Sequence, residues 1–231
     1  MKIAVVTSIS GGKEKLPFIN KIENINYFSF LNKKDFNTAL NSGWDPIEIP
    51  SSTFYNKFKH RREAKIAKVL LPYLLPNYDV YIWHDPYCEL KQELIELIYQ
   101  SDINKYDVLC FTHRFRKNPS EEIFECLKAR KDSFYKLCSY WIELKKRGHT
   151  KLPLYELTSF VLFNTPEVRK LSLLWWEDIC RFSSRDQLSF PSSVKRSGCK
   201  NFILPGYANG IEFRHGESCN MFIPQVRNHF V

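Results

Sequence analysis

The run Val80-Tyr81-Ile82-Trp83 is apolar, β-branched and aromatic, and it stops abruptly at His84-Asp85-Pro86. A carboxylate at the carboxyl end of a buried strand can hold a hard divalent cation through oxygen, and such a cation would neutralise a diphosphate. The same residues allow a purely structural reading, with Asp85 as N-cap and Pro86 as the first residue of a helix. Upstream, Arg61, Arg62, Lys65 and Lys68 recur at helical spacing, so that Arg62 and Lys65 could face one phosphate together; a solvated basic face is the alternative. Downstream, His113, Arg114 and Arg116 follow another apolar run, where a capped surface loop would explain them nearly as well. Asp186, flanked by Arg185 and Gln187, and Glu156, at the head of a further run, are the acids placed to accept a proton from a hydroxyl. Either acid could serve instead as a helix cap or a structural acceptor. His215, beside Gly216, could complete a cation site or touch a phosphate, although a loop histidine is commonly just exposed.

These groups need strands to end where they stand. Ile3–Val6, Ile25–Leu31, Asp45–Pro50, Val80–Trp83, Tyr106–His113 and Tyr155–Thr165 read as strands. Between them, Ala64, Ala67, Leu70, Leu71 and Leu74 mark a helix disturbed by Pro72 and ended by Pro76. Leu90, Leu94, Leu97 and Ile98 mark a second helix directly after Asp85, and a long amphipathic segment runs from Ser120 to about Lys146. One helix starts at Pro166, another spans Ser184–Gly198, and the tail 209–220 reads as loop. Alternating strands and helices predict an α/β fold with a mixed, mainly parallel sheet flanked by helices, in one domain over residues 1–231.

At 231 residues and 44% hydrophobic composition, the chain can bury a core without disulfides or metal. Its seven cysteines are an odd number without a CxxC pair, which argues against a disulfide framework or structural zinc and fits a reducing cytosol. No run reaches the ~18 apolar residues of a membrane span, and the first residues are broken too early by Ser and Gly for a signal peptide, so a soluble protein is expected. A net charge of +9 asks for an anionic partner. Nucleic acid is disfavoured, because the aromatic residues fall at core-like positions instead of alternating with Arg and Lys. A phosphoryl-transfer enzyme lacks its glycine-rich loop. A non-catalytic protein that binds an anionic glycan stays open on these grounds.

In order, "RREAKIAKVLLPYLLPNYDVYIWHDPYCEL", "FTHRFRKNPSEEIFEC" and "LYELTSFVLFNTPEVRKLSLLWWEDICRFSSRDQLSF" resemble a glycosyltransferase-like family first catalogued as a domain of unknown function, which includes plant mucilage-related, bacterial and viral members. The resemblance spans about residues 55 to 195 and rests on the ordered combination: Arg62 and Lys65; Ile82, Trp83 and Asp85; His113 and Arg114; Glu156; then Arg185, Asp186 and Gln187. It implies a GT-A-like fold and transfer of a sugar from a nucleotide-diphosphate donor, a UDP-sugar, to a glycan hydroxyl. It implies Mn²⁺ or Mg²⁺ at Asp85, helped by His215 or His84, with Asp186 as base if the transfer inverts and Glu156 as the second choice. Arg62, Lys65, Trp83, His113, Arg114 and Arg185 would line the pocket, and by analogy with open-sheet nucleotide sites Thr7 and Ser8, at the end of the opening strand, would meet the nucleoside. The family commonly has Asp-Gly where this chain has Asp85-Pro86, and no second acid follows.

Overall fold

Strand β1, Ile3–Ser8, is buried at every position, which is what a central strand covered on both faces requires. It pairs in parallel with β2, Ile25–Leu31, and with β4, Val80–His84; β3, Asp45–Glu48, extends the parallel set beyond β2. On the other side, β7, Tyr155–Phe163, runs antiparallel to both β4 and β6, Val108–Thr112, and β8, Asn201–Ile203, lies parallel to β6. The result is a seven-stranded sheet of order β3-β2-β1-β4-β7-β6-β8. A computed structural model describes residues 1–10, 16–50, 59–206 and 222–224.

Alternation along the strands divides the core. Ile3, Val5, Ile82, Leu109 and Val161 face α1, Phe36–Asn41, and α4, Gln92–Ile98. Ala4, Val6, Tyr81, Trp83 and Phe160 face the other way. There they meet α2, Lys59–Val69, the single turn α3, Leu71–Leu74, α7, Pro166–Arg181, and α8, Asp186–Ser197. A third cluster, with Ile123, Cys126, Leu137, Tyr140 and Leu144, joins α5, Pro119–Lys128, and α6, Phe134–Arg147, to Leu188 of α8.

Local signals set the boundaries. Pro119 and Pro166 each occupy a first helical turn, and the Asn118 and Thr165 side chains accept from the N–H groups of Glu121 and Val168. Gly148 and Gly198 close α6 and α8 with φ of 72° and 86°, a left-handed conformation that costs glycine little.

Three expectations are corrected. No helix follows Asp85: the chain turns, Cys88 N–H donates to the Asp85 carbonyl at 3.0 Å, and Cys88–Leu90 forms strand β5 against Phe222–Pro224, strand β9. Asp85 is therefore no helix cap, and α4 begins only at Gln92. The amphipathic stretch from Ser120 is two helices, broken at 129–133 around Arg130, whose φ is +48°. Short β8 and β9 had no apolar run long enough to betray them. Gly11, Gly12 and most of the C-terminal tail lie outside the described residues, as do His215 and Cys219; none of the other six cysteines is in a disulfide among the described residues. Among the described residues, no helix is long and apolar enough to cross a membrane.

Candidate functional site

The sequence of strands runs outward from β1 to β3, then returns to place β4 on β1's other side, so the order reverses between β1 and β4. Ligands of open α/β sheets gather at such a point, beyond the carboxyl ends of the strands. Asp85 stands at that end, its N–H donating to the Thr158 carbonyl at 2.8 Å. The antiparallel strand β7 begins there. Cys110 pairs with Phe160 but the next residue, Phe111, pairs with Glu156, where an unbroken ladder would give Ser159. Residues 157–159 therefore bulge from the β6–β7 ladder, and the bulge re-aims Glu156, Leu157 and Thr158 into a cleft of ≈ 350 Å³.

Helix α2 supplies one wall. Ile66, Ala67 and Val69 are buried, while Lys65 and Lys68, three residues apart, enter the cleft side by side. The Lys65 ammonium lies 3.0 Å from Asp186 Oδ1, and the Lys68 ammonium 2.8 Å from Asp186 Oδ2 and 3.8 Å from Asp85 Oδ1. Lys68 also donates to the Leu157 carbonyl and lies 5.4 Å from the centre of the Trp83 ring. Burial pushes the Asp186 carboxyl up, but Lys65 and Lys68 override it and hold the group well below the usual carboxylate range. Burial also works against the Lys68 charge, yet Asp186 and Asp85 together raise its pKa. Asp186 heads α8 and is fixed through its backbone: its carbonyl accepts from Trp175 Nε1 at 2.9 Å, and Trp175 packs on Phe160 and Phe190 in the core.

The loop after β6 supplies the opposite wall. His113 Nδ1 accepts from the N–H groups of Phe115 and Arg116, at 3.1 and 3.0 Å. Burial, then the neighbouring Arg116, Arg114 and Lys131 charges, push its pKa down to about 4, so the ring is neutral at pH 7. Arg114 Nε pairs with Glu156 Oε1 at 2.8 Å. Behind the wall, fully buried Glu122 of α5 pairs with Arg116 Nε through one oxygen and lies 3.7 Å from Arg185 Nη2 through the other. Asp132 accepts from the Ser183 hydroxyl and from the Ser184 N–H and hydroxyl, at 2.8, 2.8 and 3.0 Å, which fixes the segment that presents Arg185 and Asp186.

The structure thus gathers Lys65, Asp85, His113, Arg114, Glu156, Arg185, Asp186 and Gln187 in one cleft. It places Arg62 elsewhere: the side chain is buried, near Lys136 and Cys180, so its expected phosphate contact is corrected, and Lys68 takes the place beside Lys65. His84 is also corrected. Alternation along β4 turns its ring to the opposite face, against Trp44 at 5.6 Å. Trp83 stays behind the cleft and donates to Asp85 Oδ1 at 3.1 Å. Thr7 and Ser8 end β1 next to β4, buried, and their hydroxyls find no partner among the described residues. Lys68 and Arg116, members of the two basic series, also line the cleft, as do Tyr87, Phe115, Lys131 and Thr158, which the sequence did not single out. For Lys68 the spacing to Lys65 was the available signal; for Glu122 it was an acid on the apolar stripe of α5, with Pro119, Ile123 and Cys126.

The donors around Asp85 do not fit a divalent cation. One Asp85 oxygen is engaged by the Trp83 indole, with an ammonium 3.8 Å away, and the Tyr87 hydroxyl is 3.5 Å from the other. No group of three His, Cys, Asp or Glu able to hold a metal occurs among the described residues, so Asp85 is the one carboxylate at this strand end to hold an ion, and its oxygens are already engaged.

No curated protein sequence matches this chain. Among solved structures, apo mouse xyloside xylosyltransferase 1 superposes with a TM-score of 0.51 at 9% identity, over 88% of this chain and 84% of that one. The apo bifunctional glycosyltransferase WbbM gives 0.50 at 11% identity, over 88% of this chain and 38% of its own length. Such identities establish the fold, which is that of GT-A glycosyltransferases. Residues 12–204 match the model described as "TOD1/MUCI70, glycosyltransferase-like domain". That match covers most of the sequence, and the chain belongs to the TOD1/MUCI70 glycosyltransferase-like family.

Proposed function

We propose that the cleft transfers a sugar from a nucleotide-diphosphate donor, a UDP-sugar, to a hydroxyl of a glycan acceptor. The observation that carries this reading is the lining itself. Six cationic side chains (Lys65, Lys68, Arg114, Arg116, Lys131 and Arg185) face three carboxylates (Asp85, Glu156 and Asp186) beyond the carboxyl ends of β4 and β6. Such a surplus suits a leaving group that gains negative charge. In this reading the nucleoside lies at the end of β1, by Thr7 and Ser8, whose buried hydroxyls find no partner among the described residues. Phe115, 65% exposed at the rim, offers a ring face to a sugar.

In the reaction, the bond between the anomeric carbon and the distal phosphate oxygen breaks, and a bond to the acceptor oxygen forms. The acceptor's proton goes to a carboxylate. Asp186, held ionised by two ammonium groups, is a poor proton acceptor; its work is to anchor Lys65 and Lys68. We assign the base to Glu156, which the bulge of β7 brings into the cleft beside Arg114. The ion implied at Asp85 enters no step, because the described donors do not fit it.

Steady-state kinetics of Glu156→Gln test the assignment. The expected result is a kcat lowered by about 10²–10⁴ with KM for donor little changed. A variant of wild-type kcat removes Glu156 from the chemistry.

A further inference from the structure

We infer that the donor's diphosphate is neutralised by the cleft's own basic wall, at His113, Arg116, Lys131 and Arg185, and not by a divalent cation held at Asp85. The inference rests on the reading of the cleft as a nucleotide-diphosphate site.

Charge distribution argues for it first. At the α2 wall, Lys65 and Lys68 are answered by Asp186 and Asp85, so that wall is already neutral. Arg114 is answered by Glu156. On the opposite wall, Arg116 and Arg185 share the carboxylate of Glu122, with Arg185 also in the field of the neighbouring Asp186, and Lys131 adds a further charge. The uncompensated positive charge of the cleft is therefore concentrated there.

Proton geometry argues for it second. Because His113 Nδ1 accepts two backbone N–H groups, the single proton of the neutral ring sits on Nε2. Nε2 lies 3.1 Å from Arg116 Nη2, which carries only protons. Two donors thus stand side by side with no acceptor between them, an arrangement that an anionic oxygen completes by accepting from both. Glu122 makes the site rigid. It is fully buried and grips Arg116 from behind, so the guanidinium is oriented before the ligand arrives. Glu122 is a positioning residue.

A metal at Asp85 would act against this arrangement. It would share a carboxylate with the Trp83 indole, beside the buried Lys68 ammonium, and add positive charge to a wall already balanced.

The test is calorimetric titration of the full chain with UDP and with GDP, once in excess EDTA and once with Mg²⁺ or Mn²⁺. The expected result is the same Kd within about twofold with and without the ion. Arg116→Ala combined with Lys131→Ala weakens binding at least about tenfold, ~1.4 kcal/mol. Arg116→Lys with Lys131 intact, which keeps the charge, retains more of the affinity, and a normal melting transition shows that each variant folds. Glu122→Gln weakens Kd in EDTA while leaving the nucleoside preference unchanged, a split that loss of folding would not produce. Binding that appears only with the ion and vanishes in Asp85→Asn overturns the inference but keeps the transferase reading. If neither nucleotide binds under either condition, the donor reading fails and this inference with it.

Discussion

At the α2 wall of the cleft every charge has an answer within the protein: two lysines and two aspartates close on one another with buried Asp186 at the centre. Across the cleft, on the loop after β6, cations outnumber acids, and a neutral histidine presents a ring N–H beside an arginine. The first wall resembles a core network and contributes mainly to holding shape; the second leaves charge unanswered and can gain most from a ligand. Residue type alone does not separate them, since both contain basic and acidic side chains. Burial and pairing do.

The comparison is broken most severely at Asp186. Asp186→Ala takes the shared carboxylate from half-buried Lys65 and buried Lys68, leaving Lys68 only Asp85 at 3.8 Å, and a loss of about 3–5 kcal/mol in unfolding free energy is expected, read by urea denaturation. A loss below ~1 kcal/mol would show that Lys65 and Lys68 are answered elsewhere.

A smaller effect is expected at His113. Its folded pKa, about 4, lies below the ordinary 6.5, so below pH 6.5 the unfolded chain binds a proton the folded ring refuses. Stability from this residue is complete above pH 6.5 and is lost as pH falls towards 4, by of order 3 kcal/mol. Unfolding followed across that range falls less steeply in His113→Asn, whose side-chain oxygen can still accept from the loop. An identical slope would remove His113 from the titration. The smallest effect lies outside both walls: Asn118→Ala removes the cap of α5 and costs about 1 kcal/mol without changing nucleotide affinity. A change in affinity there would show that the position of α5, and with it Glu122, is less firmly set by the core than its buried stripe suggests.

How much of this was legible in the sequence follows the same division. Strand ends could be read, because a fully buried strand is a continuous apolar run, and Asp85, His113 and Glu156 stand where such runs stop or start. The order of the strands, and so the switch point, depends on long-range pairing that no local run encodes. Arg62, Lys65 and Lys68 form one helical series, and charge alone does not say which pair faces the cleft; the packing of Ile66, Ala67 and Val69 against the sheet sets that rotation. His84 and Asp85 differ by one position in a period of two, enough to send them to opposite faces. The bulge that brings in Glu156 and Thr158 leaves no sequence trace, being visible only as a break in register with β6. Glu122 was hidden among the neighbouring acids of "PSEEIFEC", where Glu121 accepts from the Lys117 N–H at the exposed helix start and Glu122 turns inward.

The central claim is tested most directly by incubating the full chain with UDP- and GDP-sugars and candidate glycan acceptors, then measuring nucleoside diphosphate release and product mass. The account predicts release above the protein-free blank for at least one donor, a product heavier than the acceptor by one sugar residue, and loss of both in Glu156→Gln. No release from any donor, together with binding of polyanionic glycans that weakens steeply with salt, would contradict it and make the cleft a binding site without chemistry.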